Sequence, residues 1–306
     1  METFQISDLP ALAKEEKPPR FAVIGQPIAH SLSPGMHQPA LDELAQNARY
    51  IRVEVPPGEV LAAFKEFNRN GFKGINVTIP HKEEALRSCH TVDKIADAMG
   101  VVNTVTIDGD RFHGSNTDGP GFSRAIREDF GVDLSDLDVV LIGAGGGAGR
   151  ALATQAIFEQ CPHLTLANRS LDKIEALRDH LTTLRKDDRL EGPGNPIETF
   201  ALSDPHLEEV VRRASLLINT TSLGLKPGDP SPIPTSWLEP HHLVYDTIYN
   251  PHRTPLLNAA ECAGARVANG LSMLLHQGAI SLEHWLGQPA PIEAMRRGLQ
   301  SHLERK

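Results

Sequence analysis

The sequence predicts an α/β protein of two domains, each built on a mainly parallel sheet, and three observations carry that reading. Short β-rich runs alternate with helical patterns along most of the chain, the signature of strand–helix units. A glycine-rich loop, GAGGGAG, joins an apolar strand to an amphipathic helix near the middle. The length of 306 residues suits two domains of ordinary size, and a hydrophobic content of 40% is enough to fill their cores.

Taken in order, the expected strands are RFAVIG (20–25), ARYIRVEV (48–55), INVTI (75–79), VVNTVTI (101–107), DVVLIG (138–143), LTLAN (164–168), IETFA (197–201), SLLINTT (215–221), LVYDTI (243–248) and ARVAN (265–269). Helical stretches lie between many of them: ALDELAQN, EVLAAFKEFNRN, DKIADAM, GRALATQAIFEQ and LDKIEALRDHL. Gly109-Asp110 marks a hairpin turn. The first domain is expected over 1–118 and a Rossmann-type domain over 119–269. Two terminal helices, LSMLLHQGAISLEHWL and PIEAMRRGLQSHL, have no strand between them and are expected to complete the first domain over 270–306. RKDDRLEGPGNP (185–196) is polar and rich in turn formers, so it reads as a surface loop.

Bulk properties exclude several classes. A net charge of −9 argues against a nucleic-acid partner, which needs a basic face. No apolar run approaches the ~18 residues of a membrane span, and METFQISDLPALAKEEKPPR lacks an apolar signal core, reading as a partly ordered polar extension. The expected compartment is the cytoplasm. Cys89, Cys161 and Cys262 are odd in number and far apart, as reduced structural cysteines are. The 14 histidines include no His-Glu-x-x-His, so no metal site is expected. The sequence leaves a homodimer open.

The glycine loop reads Gly143-x-Gly145-x-x-Ala148. Gly143 permits a tight turn, Gly145 lets a pyrophosphate approach the backbone, and the helix N-terminus offers free N–H groups. NAD sites end the next strand in an acid that accepts from the ribose 2′-OH. Here that strand runs into Asn168, Arg169 and Ser170, while Asp172 falls inside the following helix. Arg169 matches a 2′-phosphate through its planar fork, so NADP is the expected cofactor.

In GINVTIPHK (74–82), period-two alternation places Asn76 and Thr78 on one face. Pro80 stops the strand, which leaves Lys82 near a helix start at the strand's C-terminal edge, where open α/β sheets bind small molecules. HSLSP repeats the pattern after the first strand. Ser33-Pro34 reads as a helix N-cap followed by proline, which accounts for Ser33 but not Ser31. VVNTVTI places Asn103 in a strand, and SNTDGPG supplies Asp118 before a helix, where a carboxylate also serves as a cap.

HSLSP, GINVTIPHK, VVNTV, SNTDGPG, GAGGGAGRA, NRS, INTTSLG, VYDTIYNP and NGLSMLLHQGA occur in that order over roughly 20–300. Together they resemble the shikimate dehydrogenase family. The resemblance implies NADPH-dependent reduction of 3-dehydroshikimate to shikimate by a substrate domain and a Rossmann NADP domain. It implies Lys82 and Asp118 as the catalytic pair, with Ser31, Ser33 and Tyr249 on the substrate carboxylate and Thr78 near it. Asn76, Asn103, Asp118, Lys82 and Gln277 would bind ring hydroxyls. Gly143, Gly145 and Gly146 would contact the pyrophosphate, Asn168, Arg169 and Ser170 the 2′-phosphate end, and Gly270 the nicotinamide region. The glycine loop is one residue longer than the commoner form. Two alternatives stay open at this point: a quinate/shikimate dehydrogenase with relaxed substrate or cofactor choice, and an NADP-sensing protein without catalysis.

Overall fold

The computed structural model describes residues 2–185 and 196–304. The loop expected at 185–196 therefore lies outside the described residues, apart from its two end positions. Two compact units divide the chain: Met1–Gly121 with Leu275–Lys306, and Phe122–Leu274. Both divisions fall inside helices, α6 (Asp118–Phe130) and α11 (Leu271–Leu286), rather than at the helix starts suggested by sequence.

The first unit is built on a seven-stranded sheet of β1 (Thr3–Gln5), β2 (Pro19–Gly25), β3 (Arg49–Glu54), β4 (Gly74–Val77), β5 (Thr91–Val92), β6 (Thr104–Asp108) and β7 (Arg111–Ser115). Its order is β1-β3-β2-β4-β6-β7-β5. The first four run parallel, β6 is antiparallel to β4, and β7 returns as the hairpin partner of β6. Gly109, at φ +54, turns that hairpin. The helices α2 (Ser33–Glu43) and α3 (Val60–Arg69) make the crossovers from β2 to β3 and from β3 to β4. The chain thus leaves β2 toward one neighbour and comes back on the other side, which creates a switch point at the C-terminal ends of β2 and β4.

One face of this sheet packs Ile24, Val53, Phe64, Phe67, Ile75 and Val105 into a single apolar cluster. The other carries an aromatic layer: Phe21 stacks on Trp285 at 5.2 Å, and Tyr50 on His37 at 4.3 Å. Gly74 makes room for it, since a Cβ there would overlap the Trp285 indole. The N-terminal extension, expected to be partly ordered, carries a strand and a short helix. β1 pairs with β3, and Leu9 and Leu12 of α1 (Leu9–Leu12) join the core. Three strand residues show no readable period, and only the neighbouring strand gives them a register.

The second unit is a six-stranded all-parallel sheet: β8 (Asp138–Ile142), β9 (His163–Asn168), β10 (Ile197–Ala201), β11 (Leu216–Asn219), β12 (Leu243–Asp246) and β13 (Arg266–Asn269). The order β10-β9-β8-β11-β12-β13 is the doubly wound Rossmann arrangement, with β8 at the switch point. Val140, Ile142, Leu217 and Val244 form the centre of a core cluster, as near-continuous apolar runs in a sheet covered on both faces should. Among the described residues no helix is long and apolar enough to cross a membrane.

His37 sits fully buried in α2, with Nδ1 2.9 Å from the Ser33 carbonyl and Nε2 3.2 Å from that of Gly278. Burial pushes its pKa down to about 4, against weaker upward pulls from the two carbonyls. The unfolded chain therefore binds this proton more readily than the folded one between about pH 4 and 6.5. The contribution is complete above the unfolded value and is lost as pH falls toward 4. The expected slope from this group is up to about 1.4 kcal/mol per pH unit in that window. Urea unfolding at pH 4.5 and 7 should show His37→Gln losing less stability on acidification than the unsubstituted protein.

Candidate active site

β4 ends at Val77, two residues earlier than the sequence suggests, and Thr78 continues its line by donating its N–H to the Ile24 carbonyl at 2.9 Å. Gly25 permits this close approach, since a Cβ there would come within 2.7 Å of the Thr78 methyl. After Pro80 the chain turns directly into α4 (Lys82–Ser88), so Lys82 opens the helix. Buried His81 anchors the turn through Nε2 to the Val55 carbonyl at 2.8 Å. Glu84, in the first turn of α4, accepts N–H groups from Gly58 and Val60, both at 2.9 Å. Lys82 therefore projects from a helix fixed at two points.

Asp118 is the first residue of α6. Its own N–H is taken by Asn116 Oδ1 at 3.0 Å, and its carboxylate bonds to side chains from other segments. Oδ2 accepts from Lys82 Nζ at 2.5 Å, and Oδ1 from Asn103 Nδ2 at 2.8 Å. The two charged side chains are 28% and 17% exposed, open enough for a ligand yet partly shielded from water. Asn103 lies just before β6 rather than inside a strand, because its amide turns toward the next loop. Nδ2 also reaches Thr117 Oγ1 at 3.0 Å, while Oδ1 accepts the Thr117 N–H at 2.8 Å.

Ser31 and Ser33 lie beside the switch point, after β2. Ser33 is the first residue of α2 rather than its N-cap. It is Ser31 whose hydroxyl accepts the Ser33 N–H, at 3.3 Å, and the two hydroxyls are 3.2 Å apart. This gives Ser31 the local role that the sequence pattern assigned to Ser33.

Asn76 is placed differently from the others. At 6% exposed, its Oδ1 accepts from Tyr50 Oη at 2.7 Å, and its Nδ2 donates to Ser281 Oγ at 2.9 Å and Thr104 Oγ1 at 3.2 Å. Its amide is engaged by the protein on both sides. Gln277 is half-buried in α11, where a Cβ on Gly121 would come within 2.6 Å of its backbone nitrogen. Asp118 lies one turn before that tight helix crossing. Asn116, Thr117, Tyr50 and Ser281 were not picked out by sequence reasoning. Only Asn116 carried a signal, as the first Asx of the SNTDG motif.

In the second unit, Gly143 has φ +87, and a Cβ there would meet the Thr221 methyl at 2.6 Å. A Cβ on Gly145 would meet Asn168 Nδ2 at 2.8 Å. Gly146 is the N-cap of α7 (Gly147–Phe158). The third close-packing position is Gly149, not Ala148, since a Cβ there would fall 2.6 Å from the Ala144 Cα. The extra glycine in the loop shifts that role by one residue. At the end of β9, Asn168 Nδ2 donates to the Ser170 carbonyl at 2.9 Å, and Arg169 is exposed. Asp172 stands in the first turn of α8 (Leu171–Arg185). Tyr249 follows β12 half-buried, and burial pushes its phenol pKa up. Gly270 precedes α11, and any side chain there would overlap the Thr247 carbonyl.

A Rossmann unit with a side-chain-free glycine cradle, in one chain with an α/β unit presenting a lysine–carboxylate pair, defines a nucleotide-dependent oxidoreductase of the two-domain dehydrogenase class. Comparison with known proteins narrows this. Residues 23–105 match the shikimate dehydrogenase substrate binding domain, and 270–300 the shikimate 5′-dehydrogenase C-terminal domain. The shikimate dehydrogenase (NADP(+)) of Methanopyrus kandleri is 38% identical over 92% of this chain and 94% of its own length. That of Lysinibacillus sphaericus is 40% identical over 92% and 98%. The crystal structure of the Thermus thermophilus enzyme with NADP(H) and shikimate superposes with TM-score 0.80 at 34% identity, covering 92% and 99%. The chain belongs to the shikimate dehydrogenase family. A quinate dehydrogenase from Corynebacterium glutamicum bound to NAD has a similar fold, with TM-score 0.81 at 27% identity over 92% and 98%, so fold alone does not set the substrate.

Asn103 ties the Asp118 carboxylate to the loop that carries it. Asn103→Ala would strip Asp118 Oδ1 of a donor and the Thr117 N–H of its acceptor. Leaving such a buried group unpartnered costs about 1–3 kcal/mol. A loss of that size in urea unfolding is expected, and an unchanged midpoint would refute the bracing role.

Proposed function

We propose that this chain is an NADP-dependent shikimate dehydrogenase that reversibly reduces 3-dehydroshikimate to shikimate in the cytoplasm. The observation that carries this reading is the meeting of Lys82 and Asp118, 36 residues apart in sequence, at 2.5 Å on a sheet edge lined by Ser31, Ser33, Thr78 and Asn103. Relatives named for this reaction support it.

The second unit fits the nucleotide. Gly143 and Gly145 let the loop close tightly against Thr221 and Asn168, Gly146 and Gly147 leave space beside it, and Gly146 caps the α7 N-terminus, an arrangement that suits a pyrophosphate. Asn168, exposed Arg169 and Ser170 would hold the 2′-phosphate end. Asp172 sits inside α8, not at the strand end where an NAD site keeps its acid. When bound, the nicotinamide supplies or accepts the hydride.

On the protein side, carbonyl reduction leaves charge on an oxygen that must take a proton. Lys82 Nζ donates that proton, and in the reverse direction receives it. Asp118 Oδ2 fixes the ammonium, and the carboxylate grips the same hydroxyl. Ser31 and Ser33 hydroxyls donate to the substrate carboxylate, with Thr78 beside them, and Asn103 and Gln277 serve ring hydroxyls. Asn76 keeps the ring-hydroxyl role that the family resemblance implies, its amide, like that of Asn103, being held by neighbouring side chains. Tyr249 and Gly270 keep the roles that the family resemblance implies.

The deciding assay is nucleotide reduction with shikimate and with quinate, each with NADP+ and NAD+. Turnover fastest with shikimate and NADP+ is expected, whereas nucleotide binding without turnover would mark a sensor. Lys82→Ala should lower kcat by about 10²–10⁴ with little change in KM for shikimate; near-normal turnover would remove Lys82 from the mechanism. Arg169→Ala should weaken NADPH at least about tenfold more than NADH, the loss of a charge-assisted contact. Equal losses for both nucleotides would refute phosphate recognition.

A further inference from the structure

The Ser31–Ser33 hydroxyl pair is neutral, yet it is the group assigned to an ionised carboxylate. A carboxylate moved out of water onto hydroxyls alone gains no opposite charge. The strand behind the pair carries one. Arg52, in the middle of β3, is only 3% exposed. Its Nε–H and Nη2–H both donate to the Ser31 carbonyl, at 2.9 and 2.5 Å. Ser31 in turn accepts the Ser33 N–H and lies within hydrogen-bond reach of the Ser33 hydroxyl. The guanidinium thus fixes the peptide from which this pair projects, and it does so from the protein side. Burial pushes the Arg52 pKa down from its ordinary value. A planar fork suits this double donation better than an ammonium would.

We propose that Arg52 is a positioning residue for the substrate carboxylate, clamping the Ser31 carbonyl and setting a buried positive charge behind the Ser31 and Ser33 hydroxyls. This rests on the reading that those serines take the carboxylate. It adds a residue that does not itself touch substrate, and it makes carboxylate recognition electrostatic as well as directional.

The test uses the full chain with Arg52→Gln, which keeps an N–H for the Ser31 carbonyl but removes the charge, and with Arg52→Lys and Ser33→Ala. Steady-state constants are measured for shikimate and for its uncharged methyl ester, the ester as an inhibition constant where turnover is slow. Arg52→Gln should raise KM for shikimate about tenfold, the size of one lost charge-assisted interaction. It should leave KM for NADP+ and the constant for the ester unchanged. Arg52→Lys should recover part of the loss. A merely structural residue would affect acid and ester alike, and that result overturns the proposal. So does an unchanged shikimate KM in Arg52→Gln when Ser33→Ala raises it. If Ser33→Ala itself has no effect on shikimate KM, the carboxylate-site reading fails, and the role of Arg52 fails with it.

Discussion

The first unit is organised around one ion pair, Lys82 Nζ to Asp118 Oδ2 at 2.5 Å. It depends on two ends of one sheet lying at the same edge. β4 delivers Lys82 just beyond its C-terminus. The chain reaches Asp118 only after running up β6 antiparallel to β4 and back down β7. Two reversals bring the end of β7 level with the end of β4. A parallel β6 would have carried the carboxylate to the opposite edge.

Around that pair, a chain of buried amides and hydroxyls turns sheet geometry into side-chain geometry. Asn103 links Asp118 to Thr117, Thr104 donates to Asn103, and Ser281 of α11 joins Thr104 to Asn76, which holds Tyr50. Buried polar groups of this kind are stabilising only when satisfied, so each member constrains its neighbours. The polar face of GINVTIPHK is divided accordingly. Asn76 faces inward as a strut, Thr78 sits half-exposed at the edge, and Lys82 meets Asp118. The same economy appears in the glycines, where bare backbone marks places that another chain segment occupies: Thr78 against Gly25, the Trp285 indole against Gly74 and the Ala144 backbone against Gly149.

Most elements were legible because their periods are local. The parallel strands read as apolar runs, the hairpin at Gly109 as a turn with positive φ, and the terminal helices as helical stretches without strands. The misreadings share a cause. β1 is too short to have a period. The capping role went to Ser31 because the helix begins one residue earlier than Ser33-Pro34 suggests. Gly149 replaced Ala148 because an inserted glycine moves the packing position without altering the look of the motif.

By itself, the sequence determined the strand–helix alternation, the glycine loop, the missing acid at the end of β9 and the identity of the charged pair, because each is a property of neighbouring residues or of a recognisable run of motifs. The tertiary structure decided which polar groups face inward and which stay available. Asn76 and Asn103 look equivalent as letters, but Asn76 is held by Tyr50, Thr104 and Ser281, whereas Asn103 is held by Thr104 and Thr117 and turned onto Asp118. Arg52, an ordinary strand arginine in sequence, becomes a clamp on Ser31 only when β3 lies beneath that loop. Hydrogen-bond partners distant in sequence are chosen by strand register and helix crossing, and neither is encoded in any local window of the chain.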